Sequence, residues 1–214
     1  LYLLGRQEYN KVSPQAFAKA EEYYDQAIAR DPSFARAYAA KALVHMYHGG
    51  GYWGVKPTVA YDRAVALARK AIELDPDVGE AHMVLGAYES WIRFDWVASE
   101  AHFSRAIALN PSHAFTHIMH GWLLFATGRL DDAVHSGRLA VELDPAAPLI
   151  LAKAHSFHHI ARRPADFDVE LVAAQRLAAM DGVDTIVRTF ESISRGQAGG
   201  ILPEVRAMAR GAEN

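Results

Sequence analysis

Eleven histidines in 214 residues are the first feature of this chain with chemical potential. His113, His117 and His120 fall at i, i+4 and i+7, a spacing that puts three imidazoles on one face of a helix. His155, His158 and His159 form a second cluster containing an i, i+4 pair. Two imidazoles so spaced can grip a transition metal, but a catalytic zinc site takes a third ligand and keeps a general base nearby. The sequence has no H-E-x-x-H phrase, and cysteine is absent, so thiolate sites, cysteine nucleophiles and disulfides are excluded together. The glycine-rich stretch Gly49–Gly54 follows a helical pattern rather than a strand and lacks the Gly-Lys-Ser/Thr ending that orients phosphates. It reads as an expanded inter-helix loop, with Tyr52 and Trp53 available as an aromatic latch on one rim. Asp131-Asp132 and Glu21-Glu22 read as solvated acids at helix starts, where the helix dipole favours them. No constellation argues for an enzyme, and no cofactor or metal is expected.

The elements that carry these residues must be helices. The phrases Ala27-Ile-Ala-Arg-Asp-Pro32, Ala71-Ile-Glu-Leu-Asp-Pro76, Ala106-Ile-Ala-Leu-Asn-Pro111 and Ala140-Val-Glu-Leu-Asp-Pro145 are four copies of one motif. Their prolines stand 44, 35 and 34 residues apart. Proline drives the residue before it towards extended geometry, so each Asp-Pro or Asn-Pro ends one helix and sets up the next. Upstream, small and apolar residues recur at helical spacing, as in Ala20, Tyr24, Ala27 and Ile28, or Ser99, Phe103, Ala106 and Ile107. Each unit is a helix–turn–helix that cannot bury its apolar face alone and stacks on its neighbour.

Composition fits such an array: 51% hydrophobic, 22% charged and 10% aromatic. A formal net charge of -3 leaves no basic field to hold a nucleic-acid backbone, so no nucleic acid is expected as a partner of this chain. No apolar run approaches the roughly 18 residues that span a bilayer, and no signal pattern opens the chain. The expected setting is cytoplasmic, without membrane contact. The chain begins with Leu1, which reads as an excised domain or a processed chain.

The motif resembles the tetratricopeptide repeat, with its Trp-x2-Leu-Gly-x2-Tyr, Ala-x3-Phe and Pro signature. Leu85, Gly86, Ser99, Phe103, Ala106 and Pro111 match in the third repeat; Gly121, Gly128, Ala133, Ala140 and Pro145 match in the fourth. The first repeat carries Gly5, Ala20, Tyr24 and Ala27 with a loop enlarged around residues 10–15, and the second carries a ten-residue excess at 48–58. In the fifth, His155 replaces the usual glycine and Pro164 stands where an aromatic belongs. The resemblance places His82 and His117 at the Trp position and His45 and His158 at the Tyr position, so the histidines read as packing residues. Burial of such imidazoles would make the fold acid-labile. The resemblance implies an all-α superhelix of about five repeats over residues 1–180, divided at about 1–34, 35–78, 79–113, 114–147 and 148–180. A capping helix follows at 181–195, then a linker and short helix over 196–214. More narrowly, Tyr2-Leu-Leu-Gly-Arg6, Gly54-Val-Lys-Pro57, Phe94-Asp-Trp96 and Gly128-Arg-Leu-Asp-Asp132 resemble the arrays of bacterial winged-helix, adenylate cyclase and kinase-type regulators.

The family's geometry turns certain first-helix positions to a concave groove. In the third repeat they include Glu80, Met83, Ala87, Ser90 and Trp91; in the fourth, Phe115, Ile118, Trp122, Phe125 and Ala126; in the fifth, His159. The Lys, Asn and Arg residues that clamp terminal carboxylates in chaperone-binding members are missing. The expected protein-binding groove is therefore Met83, Ser90, Trp91, Phe115, Ile118, Trp122, Phe125 and His159. Exposed apolar side chains there suit an amphipathic helix or an extended apolar segment from a protein partner, a second copy or the chain's own tail. The function expected is a non-enzymatic protein-interaction scaffold serving a bacterial regulator. The alternative is a sensor whose small-molecule or peptide ligand enters the groove and shifts the superhelix.

Overall fold

The computed structural model describes residues 1–49, 57–147, 149–151, 153, 154 and 157. Among these the only regular elements are helices: α1 (Tyr2–Tyr9), α2 (Pro14–Arg30), α3 (Ala35–Gly49), α4 (Pro57–Leu74), α5 (Gly79–Tyr88), α6 (Trp96–Leu109), α7 (Ala114–Ala126) and α8 (Leu130–Leu143). A π-helical turn, Glu89–Arg93, continues α5. Residues 149–151, 153, 154 and 157 are helical as well. The chain divides into two compact units, one ending at Pro111 and one starting at Ser112. In the first, α1 packs on α2, α3 on α4 and α5 on α6; in the second, α7 packs on α8. The tail helix expected at 181–195, the segment 196–214 and the Tyr52–Trp53 latch lie outside the described residues.

The repeated Asp-Pro and Asn-Pro phrases end their helices in one way. Asp31, Asp75, Asn110 and Asp144 each donate their N–H to the alanine carbonyl four residues back, at 3.0, 2.8, 3.0 and 3.0 Å. The Asp31 and Asp75 carboxylates then accept from the backbone N–H two residues on, both at 3.0 Å, which turns the chain towards the next helix. Two second helices start on side-chain caps: Ser13 accepts from the Ala16 N–H and Asp95 from the Ala98 N–H.

Within a hairpin, glycine on the first helix admits an aromatic ring from the second. Phe103 packs over Gly86 so closely that a Cβ there would lie 3.1 Å from three ring atoms, and Tyr24 covers Gly5 more tightly still. The fourth repeat solves the same problem differently. Its second helix offers Gly137 where the first and third repeats carry Tyr24 and Phe103 and the second carries Ala68, and the ring comes from Phe157, downstream of α8. Residues twenty apart exchange volume in this way. Tyr24 shares a core cluster with the smaller Val44, whereas Gly137 meets Phe157.

The 35-residue spacing of the third repeat also has a local cause. Gly86 precedes Phe94 by eight residues, whereas Gly121 precedes Gly128 by seven, and Phe94 and Gly128 are the left-handed residues at φ 56° and 79°. The additional residue falls in the π turn, whose wider winding absorbs it without disturbing the helices on either side. Phe94 thus holds a conformation that its sibling gives to glycine, at a cost of about 1–3 kcal/mol.

Candidate protein-binding face

First helices supply the candidate face in each unit. In the first unit, Arg6 on α1 reaches Glu80 on α5 at 3.3 Å, both side chains half-buried. The pair links the first helices of repeats one and three. Burial, opposed by the Arg6 charge, pushes the hydroxyls of Tyr2 and Tyr24 up beside it. Of the expected groove residues, Met83 and Ser90 are buried and Trp91 is half-exposed, its ring edge-on to Tyr61 at 6.1 Å. The same arrangement recurs one repeat earlier, where Phe17 packs against Tyr47 at 5.3 Å. Trp91 and Tyr47 therefore join neighbouring repeats through the buried Tyr61 and Phe17 while keeping some exposed area.

In the second unit, Ile118 is buried, while Phe115, Trp122 and Phe125 are partly buried against the core cluster formed by α7, α8, Ile150, Ala154 and Phe157. Trp122 stands edge-on to Phe125 at 5.9 Å and to Phe157 at 5.0 Å. The ammonium of Lys153 lies 5.9 Å from the Trp122 ring centre, and burial pushes it down to about 8. His159 lies outside the described residues. The expectation that these groove positions stand open needs correction at Met83, Ser90 and Ile118. Packing against neighbouring helices encloses them. Trp91, Phe115, Trp122 and Phe125 keep exposed area.

The histidines do not act as one set. His113 precedes α7 as its N-cap residue and its ring nitrogen lies 2.7 Å from the Thr116 hydroxyl, so it leaves the face shared by His117 and His120. His117 is buried. His45, also buried, hydrogen-bonds Glu21 at 3.2 Å beside Lys41, and this bond with the nearby charges holds the Glu21 carboxyl at about 2. His82, half-exposed, turns Nδ1 to Nδ1 of His102 at 3.3 Å while its Nε2 meets the Pro76 carbonyl at 3.1 Å. Burial, His82 and Arg69 lower the His102 value. Among the described residues no three His, Asp or Glu side chains converge as a metal site would need, and no helix is long and apolar enough to cross a membrane. Neither the Arg6–Glu80 bridge nor the His82–His102 contact has a signal in local spacing, because their partners lie 74 and 20 residues apart.

Comparison with known proteins fits these hairpins. The tetratricopeptide repeat model matches residues 95–148. The fold matches TTC0263 of Thermus thermophilus, a tetratricopeptide protein, with a TM-score of 0.66 at 17% identity, covering 90% of this chain and 96% of that one. Residues 95–148 thus match the tetratricopeptide repeat family, and the fold of the chain is that of tetratricopeptide proteins. Its all-α solenoid class is shared with PilW, a type IV pilus biogenesis factor, at TM-score 0.58 and 17% identity over 99% of this chain and 89% of that one. Among curated proteins, the repeat array is 28% identical over 146 residues, 68% of its length, to the transcriptional regulator HilA of Salmonella typhimurium. It spans 26% of HilA's length. A shorter stretch of 71 residues, 33% of the chain and 17% of the relative, is 41% identical to an SGT1 homologue of Oryza sativa subsp. japonica.

Proposed function

We propose that this tetratricopeptide array is the non-enzymatic protein-interaction part of a bacterial signalling or transcriptional regulator, acting in the cytoplasm. Helical-repeat scaffolds of this class bind protein and peptide partners on extended surfaces. The observation that carries the finer reading is the set of large aromatics, Trp91, Phe115, Trp122 and Phe125, left half-exposed on first helices. Half-buried aromatic rings with one open face supply contact area at little entropic cost, which suits an apolar or amphipathic segment. Ile118 lies in the core cluster against which Phe115, Trp122 and Phe125 pack, and Met83, Ser90 and His159 are retained in the proposed face. The similarity to HilA favours a regulator as the setting.

A panel of fluorescein-labelled amphipathic helical peptides, titrated into the full chain, tests the face. Phe125→Ala and Trp91→Ala should weaken the best binder tenfold or more, about 1.4 kcal/mol, at unchanged helix content. Lack of binding by any peptide, or loss of stability in step with affinity, would overturn the reading. The reading frame upstream of Leu1 tests the setting: an effector domain there supports a regulator, and its absence counts against one.

A further inference from the structure

The connection from α5 to α6 exposes an unbroken run, Arg93-Phe94-Asp95-Trp96-Val97. Phe94 is 66% exposed, Val97 83% and Trp96 37%, with the two aromatic rings edge-on at 5.9 Å. Folding does not demand this composition. The corresponding left-handed position in the next repeat is Gly128, and a Cβ there would meet nothing within 4 Å, so the turn closes without an aromatic. Phe94 is held in a conformation that L side chains rarely adopt, yet its ring gains little burial. Strained backbone and exposed apolar surface coincide on one short turn, a combination that marks an interaction site.

We propose that this turn is a self-association surface that seats the same turn of a second copy. Its charges decide the occupant. The exposed Arg93 and Asp95 flank Phe94, so the run carries both signs around an apolar centre. Two such runs related by a two-fold axis bring Arg93 of each copy to Asp95 of the other while Phe94 and Trp96 cover one another. Asp95 retains a carboxylate oxygen for this role, because its N-cap bond to Ala98 uses only Oδ1. An isologous contact requires this self-complementarity. A patch of three apolar side chains is far smaller than a permanent interface, so the association is weak and concentration-dependent. The surface shares no residue with the first-helix aromatics, and its test does not depend on the peptide-binding reading.

Sedimentation of the full chain from low micromolar to several hundred micromolar is the experiment. The mass should rise from 23.6 kDa towards twice that value, and Arg93→Glu should shift the midpoint at least tenfold to higher concentration. Phe94→Gly should remain monomeric throughout and, because glycine accepts the left-handed backbone, melt higher than the dilute wild type. A wild type monomeric at every concentration would overturn the proposal. So would a Phe94→Gly variant that dimerises equally well, or one that melts lower and so reveals Phe94 as a packing residue.

Discussion

Phe157 covers Gly121 so closely that a Cβ on the glycine would stand 2.6 Å from its ring. One ring therefore seals the joint between α7 and α8 from outside that hairpin. Gly121→Ala should destabilise the protein by about 1–3 kcal/mol through overpacking. Phe157→Leu should cost stability alone but suppress part of the Gly121→Ala loss. Thermal melts of the two single variants and the double variant measure the coupling, and strict additivity would exclude it.

Lys153 is enclosed beneath the Trp122 ring and pushed down to about 8 by burial. A base with a depressed folded value binds fewer protons folded than unfolded. Its burial therefore costs stability below pH 8, and the cost fades as pH rises towards the unfolded value of 10.5. Lys153→Met should raise stability at pH 7 by about 1–3 kcal/mol, and the gain should shrink by pH 9.5. Denaturant melts at the two pH values check both size and trend.

Acid should unfold the chain in two stages. His102 is lowered by burial, His82 and Arg69, so the unfolded chain takes up its proton first and stability falls as pH drops below about 6.5. Glu21, held at about 2 by its His45 bond and neighbouring charges, contributes stability above about 4.5 that is lost as pH falls towards 2. The melting temperature should drop between pH 7.5 and 5.5, and His102→Gln should flatten that first step alone. Glu21→Gln should flatten the second.

The Arg6–Glu80 pair joins α1 to α5 and keeps each side chain half-buried. A double-mutant cycle with Arg6→Met and Glu80→Gln should give a coupling of about 0.5–1 kcal/mol, reduced in 0.5 M salt. A coupling near zero would mean that the contact contributes no net stability.

Helix ends were readable from the sequence because their cause is local. Proline after Asp31, Asp75, Asn110 and Asp144 acts on its neighbouring residue, and every one of these helices ends there. Gly86 and Phe103 were legible as matches to one recurring hairpin motif, and the structure sets the ring over the glycine. The 35-residue spacing announced an additional residue in the third repeat, but not its place. A π turn keeps nearly the same apolar pattern as an α turn, so periodicity could not single out Glu89–Arg93. The candidate face was legible as a set of positions and not as a set of exposures. Whether Met83 lies open or covered depends on how neighbouring helices pack over it, a relation no local window contains.

The twenty-residue exchange of volume bears on how such a chain can change over generations. Repeats that arise by duplication begin as identical copies, free to be lost, gained or reordered by recombination. Once Tyr24 answers to Val44 and Gly137 to Phe157, that freedom ends. Splicing the first second-helix in front of the last segment would drive Tyr24 into Phe157, and the reverse splice would leave Gly137 facing a valine across a void. These two junctions have become private to their two sides, so the first and fourth units can no longer trade places without cost.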